Sequence, residues 1–175
     1  MRWVALLRAV NLGARNKVPM AELRTRLESA GYENVRTYVA SGNVLLDGPR
    51  SPSALSAEIE RLIAEAFDVA TTVMLRRPQE LAATIAAHPF GSDASETQVA
   101  FLAARPAKAA AARLDAVDPG ADLAVLAGAE LYLRLPRGVH GSPLSVARIE
   151  KLLDVRATLR NWRTVVALAD LANEA

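Results

Sequence analysis

The apolar residues of this 175-residue chain fall into short runs whose spacing alternates between strand-like and helical. Trp3–Leu7 is continuously apolar, the pattern of a strand covered on both faces. Pro19 suits a first helical position, and Met20, Leu23 and Leu27 then recur at helical spacing until Gly31, where a C-terminal cap belongs. "NVRTYVA" and "NVLLD" read as two strands around the turn Ser41-Gly42, which predicts a hairpin. "GPRSPS" breaks the chain. Leu55, Ile59, Leu62, Ile63 and Phe67 mark a second helix, capped by Ser51 or Ser53, and "VATTVML" reads as a fourth strand.

This order, β-α-β-β-α-β over residues 1–77, predicts an α+β domain of ferredoxin-like α/β plait type. Both helices should pack on one face of an antiparallel sheet, since neither strands nor helices can bury an apolar face alone. "RPQELAATIAAHPF" predicts a third helix, begun by Pro78 and stopped by Pro89, in a linking helix and loop over 78–95. Residues 96–175 then predict a second, smaller α/β portion. Its elements are a strand in "TQVAFLA", a helix in "PAKAAAARLDAV", two strands turning at Gly128, and a helix in "SPLSVARIEKLL". A last helix from about Asn161 is expected to bury Val165, Leu168, Ala169 and Leu171. The second half repeats the first in element order alone, with no sequence repeat to support duplication.

Composition narrows the chemistry. The chain has no cysteine, which excludes a disulfide framework, a thiolate metal site and a thiol nucleophile. No apolar run reaches the roughly 18–20 residues of a membrane span, and the N-terminus lacks the pattern of a signal peptide. The expectation is a cytoplasmic protein with no membrane partner, its oligomeric state open. Net charge is only +2, although the pI is about 9.3. The basic residues are nonetheless concentrated, with seven against three acidic from Arg2 to Arg36 and seven against two from Arg134 to Arg163.

Three polar stretches interrupt the apolar pattern. "AVNLGARNKVPM", Ala9–Met20, links a strand to a helix but has a single glycine, Gly13, so it is neither a P-loop nor a dinucleotide fingerprint. What remains is a generic anion site, with Arg15 and Lys17 beside a helix start, or a loop whose Asn11 and Asn16 bond their own backbone. "VASGNV" offers the Ser41 hydroxyl and the Asn43 amide at one turn, which is also simply a tight turn. In "TLRNWRTV", Asn161 suits a helix N-cap, Arg160 and Arg163 suit bidentate capture of an oxyanion, and Trp162 offers a face for packing or stacking. His88 and His140 have no partner at metal-ligand spacing, and no G-x-S-x-G elbow exists, so neither a metal site nor a catalytic triad is implied. "NVLLD", at the position of the aromatic strand that binds RNA in related sheets, has no aromatic residue, which disfavours a nucleic acid partner.

The stretch "ALLRAVNLGARNKVPMAELRTRLESAGYENVRTYVASGNVLL", with the later "HPF" and "TLRNWRTVVAL", strongly resembles the bacterial DUF1697 family over nearly the whole chain. The resemblance implies a ferredoxin-like plait with a second α/β portion, and no assigned activity. Its motif positions fall on Arg8, Asn11, Gly13, Asn16, Lys17, Met20, Ser41, Gly42, Asn43, Pro89, Phe90, Arg160, Asn161 and Trp162. Ala9 and Ala14 stand where the family usually has glycine, and Pro143 where relatives tend to carry lysine.

The functional expectation is a small anionic, phosphate- or nucleotide-like ligand bound at a cleft between the two halves. Arg8, Lys17 and Arg160 would supply charge, Asn11, Ser41, Asn43 and Asn161 would orient the ligand, and Trp162 would wall the site. No cofactor is implied, and no nucleophile or base can be named. The alternatives are a non-enzymatic structural or protein-interaction module and, more remotely, an RNA-binding protein.

Overall fold

A computed structural model describes residues 1–49 and 51–174; Arg50, within the "GPRSPS" break, lies outside the described residues. The chain divides into two compact units, Met1–Ala82 with Leu168–Ala175, and Ala83–Ala167.

The first unit holds β1 (Arg2–Leu7), α1 (Met20–Ser29), β2 (Glu33–Tyr38), β3 (Asn43–Asp47), α2 (Pro52–Phe67) and β4 (Val73–Arg76). Its sheet is antiparallel in the order β2-β3-β1-β4, the order of a ferredoxin-like plait. β1 is buried on both faces from Trp3 onward, as its unbroken apolar run requires. One face packs Trp3, Ala5, Leu7, Val44 and Leu46 against Leu23 and Leu27 of α1 and Leu55, Ile59 and Ile63 of α2. Pro19 is the N-cap of α1 rather than its first helical residue. The helix closes where Gly31 N–H donates to Glu28 O and Tyr32 N–H to Leu27 O. Ser51 caps α2, its Oγ accepting from Ala54 N.

α3 (Pro78–Ala86) follows, and the second unit then holds β5 (Thr97–Leu102), α4 (Lys108–Asp115), β6 (Leu123–Ala127), β7 (Glu130–Arg134), α5 (Val146–Leu153) and β8 (Ala157–Asn161). A final helix, α6 (Trp162–Asn173), runs from this unit into the first. β8 corrects the sequence reading, which has the last helix begin at about Asn161 with no strand before it. Ala157–Asn161 pairs with β5 along five residues, and the helix starts only at Trp162.

With β8 in place the second sheet is antiparallel in the order β6-β7-β5-β8, the same plait as the first. Ala100, Leu102, Leu131 and Leu133 pack with Leu114 of α4 and Ile149 and Leu153 of α5 on one face. The repetition extends to single residues. Arg76 of β4 lies opposite Val4, and Arg160 of β8 opposite Val99, in each case the third residue of the unit's first strand. Both arginines are buried. A glutamate of the second helix holds the first residue of the last strand in each unit. Glu60 Oε1 accepts from Val73 N at 2.7 Å, and Glu150 Oε1 from Ala157 N at 2.8 Å. Both helices also end on a left-handed aspartate, Asp68 and Asp154.

Candidate functional site

In the first unit the opening loop and the β2–β3 hairpin are tied together. The loop is held open by left-handed backbone at Ala9, Asn11 and Asn16 as well as Gly13. Asparagine tolerates that region because its short amide bonds locally. Asn11 does so fully: its Nδ2 donates to Val18 O at 2.9 Å and to Ala40 O at 2.7 Å, while its Oδ1 accepts from Val18 N at 2.8 Å. Asn16 Nδ2 donates to Ala9 O. On the hairpin, Tyr38 pairs with Asn43 across the connecting residues 39–42, where Val39 has φ 48°, a strained conformation for a β-branched residue. Asn43 is fully buried, its Nδ2 donating to Tyr38 O and to Ser41 Oγ. The Arg8 backbone is pinned by Thr71 and Thr72. Asn11, Lys17, Val18, Met20, Thr37 and Val39 line an open pocket of about 430 Å³. Lys17 is exposed.

The second unit brings two other motifs together. The His88 ring lies 4.3 Å from the Trp162 ring, centroid to centroid, and 5.6 Å from Phe90, which it meets edge-on. Its own nitrogens are held by Gly91 O at 3.2 Å and Thr97 Oγ1 at 2.9 Å. The "HPF" segment after α3 thus fixes the ring against which the first residue of α6 packs. Asn161 is the N-cap of that helix, as its residue type suggests, its Oδ1 accepting from Thr164 N at 2.8 Å. Arg160, one residue earlier on β8, points into the protein. It is 5% exposed, and its Nη1 donates to Thr158 Oγ1 at 2.8 Å and Leu159 O at 2.9 Å. Burial pushes its guanidinium down to about 10, which leaves it a cation at neutral pH.

Beside Trp162 is a pocket of about 590 Å³ lined by Ser92, Ala94, Ser95, Asn161, Trp162 and Arg163. That volume lies within the range of small-molecule sites. Ser92, Ser95, Asn161 and Arg163 are exposed, and Trp162 is half-buried. Asp93 lies within the Ser92–Ser95 loop. Its carboxylate accepts from Ser95 N at 3.0 Å, and hydrogen bonds from Ser95 hold it below the usual carboxylate range. The sequence reading singles out Asn161, Trp162 and Arg163 but not Ser92 or Ser95. Their signal was faint: a small, polar run, "GSDAS", directly after "HPF". Among the described residues no three His, Asp or Glu side chains gather as metal ligands would, and no helix is long and apolar enough to cross a membrane.

The conserved bacterial protein SP0830 from Streptococcus pneumoniae has a similar solved structure, with a TM-score of 0.74 at 21% identity, over 98% of each chain. At that identity the likeness is one of fold, and it spans both units. No curated protein matches the chain. The model of a protein family of unknown function matches residues 1–132, taking in the opening loop, the hairpin and the "HPF" segment. The chain belongs to that family, DUF1697.

Proposed function

We propose that this protein binds a small anionic ligand in the pocket beside Trp162. The observation that carries the reading is the lining of that pocket. Arg163, with no ion pair among the described residues, lines it together with Ser92, Asn161 and Trp162, while the Ser95 hydroxyl is engaged by the Asp93 carboxylate. A guanidinium and a hydroxyl suit a phosphate or carboxylate, and an indole held in place by His88 suits a planar group joined to it. The start of α6 adds the positive end of a twelve-residue helix. Arg160 supports the site from within β8 rather than by contact, since it is buried. We further read the protein as bacterial, a reading supported by the bacterial source of the matched structure.

Asn11, Ser41 and Asn43 take a structural role in this reading. The amides of Asn11 and Asn43 are spent on the backbone of the opening loop and hairpin, and the Ser41 hydroxyl accepts from the Asn43 amide. Arg8 and Lys17 take no part in it. An RNA-binding role finds no support, because β3 has no aromatic residue and is buried from Asn43 to Leu46.

The test uses Trp162 as the reporter. Nucleoside mono- and diphosphates and simple phosphorylated sugars are titrated while the Trp162 indole resonance is followed by NMR. Saturable shifts are expected for at least one class, weakened about tenfold or more by Arg163→Ala, as loss of a charge-assisted contact implies. Shifts that persist unchanged in Arg163→Ala, or no saturable shift from any compound, would refute the reading.

A further inference from the structure

β2 and β6 occupy the same place in their sheets, outermost beside β3 and β7, yet they are built differently. β2 exposes Glu33 and Arg36, and its register against β3 shifts between those two residues. Charges and irregular registers are what natural sheets use to keep another chain from adding to an edge. β6 has neither. Its sequence is Leu-Ala-Val-Leu-Ala, its register against β7 is unbroken over all five residues, and Leu123, Val125 and Ala127 are exposed in alternation. Leu123 is 47% and Val125 39% exposed. Among the described strands β6 pairs with β7 alone, so its other edge offers free N–H and C=O groups beside an apolar row. That combination is a template for one more strand.

We infer that β6 is a self-association edge, pairing antiparallel with β6 of a second copy about a two-fold axis at Val125. Two observations favour a second copy over another extended chain. The strand is compatible with itself: turned about Val125, Leu123 faces the partner's Ala127, and no charge is buried. The flanking strand adds polarity, because Arg134 lies beside Leu123 and Glu130 beside Ala127. Antiparallel pairing therefore sets the basic end of one hairpin nearer the acidic end of the other, across three strand spacings or roughly 14 Å, whereas parallel pairing sets like against like; salt screens this bias strongly at that distance. Arg134 also shares its charge with Glu96 at 3.1 Å, so the charges add only a small bias and the apolar row carries the contact. A two-fold pairing uses the same edge of both copies, so assembly stops at the dimer with an eight-stranded sheet. One short strand pair belongs to the low end of specific interfaces, below about 1,200 Å² in total, so association is read at high protein concentration.

The experiment is sedimentation velocity on the full chain across a concentration series, repeated with Val125→Lys, and circular dichroism confirms that the variant is folded. A monomer–dimer equilibrium is expected, its midpoint moved upward about tenfold or more by Val125→Lys. Because the chain lacks cysteine, Val125→Cys adds a single thiol. Under mild oxidation it should crosslink the dimer faster than a control Thr25→Cys on α1. A monomer at every concentration with equal crosslinking of the two variants overturns the inference. So does a dimer indifferent to Val125→Lys, and so does a β6 edge whose amides gain exchange protection only when a different protein is added.

Discussion

Gly42 has φ +84° and room for no side chain: a Cβ there would meet Val10 Cγ2 at 2.5 Å and Leu7 Cβ at 2.8 Å. The close approach arises because the hairpin lies directly on the end of β1, where Leu7 N–H donates to Gly42 O at 2.8 Å. Gly13, in the opening loop, has φ +58° but nothing within 4 Å of the same virtual atom. The two glycines therefore separate backbone strain from steric overlap. Gly13→Ala should cost about 1 kcal/mol, the left-handed penalty alone. Gly42→Ala should cost about 3 kcal/mol or more, since overpacking against β1 is added. Urea denaturation of both variants checks this, and equal losses would mean that the hairpin yields freely. This contrast could not be read from the sequence. Both residues stand as single glycines in polar stretches, and what distinguishes them is a neighbour some thirty residues away. The same holds for Asn11, whose residue type fits a ligand contact and a loop clamp equally well. The clamp becomes visible only with the position of Ala40.

The elements were legible where their burial is simple. β1 shows its two covered faces as an unbroken apolar run, and α2 shows its one buried stripe as Leu55, Ile59 and Ile63. β8 was not legible, because "ATLRN" is short, carries an arginine in its interior and leads directly into a helix with a good cap residue. Its strand character comes from pairing with β5 and from the burial of Arg160, both of them tertiary. A glutamate one element earlier helps to place it. Glu150 Oε1 takes the N–H of Ala157 at 2.8 Å, as Glu60 takes that of Val73 in the first unit. A charge-assisted bond to a partly buried amide is worth about 1.5–3 kcal/mol. Glu150→Ala should therefore destabilise the chain by about 2 kcal/mol. Glu150→Gln, which keeps an acceptor oxygen, should lose less than half of that. Thermal and chemical unfolding of the two variants distinguish the cases, and an equally large loss in Glu150→Gln would assign the effect to charge rather than to the bond. The candidate pocket was half legible on the same grounds. Asn161, Trp162 and Arg163 stand out by residue type, whereas Ser92 and Ser95 enter only because the loop after "HPF" lies beside the start of α6.

At the scale of the whole chain, the first unit is not finished until the last residues are made. Its four strands and two helices are complete by Arg76, but Leu168–Ala175 also belong to it. Leu168 is fully buried, Ala169 and Ala172 nearly so, and Glu174 Oε2 accepts from Arg36 Nη1 of β2 at 2.8 Å. That ion pair is about half exposed on both sides, so it contributes little. The apolar residues decide the matter. Burying one leucine is worth about 1.5–3 kcal/mol and the two alanines add a smaller share, a sum comparable to a large part of a domain's net stability. A chain ending at Ala167 should therefore lose several kcal/mol, and the loss should fall unevenly. Hydrogen exchange resolves where it falls. Amides of β1, β3 and β4 are expected to lose protection by orders of magnitude, while those of β5 and β7 change far less, because every strand of their sheet lies before residue 168. Equal loss in both sheets would mean that the two units unfold as one cooperative body. Unchanged protection in β1–β4 would mean that the burial of Leu168 contributes nothing to the sheet of its own unit.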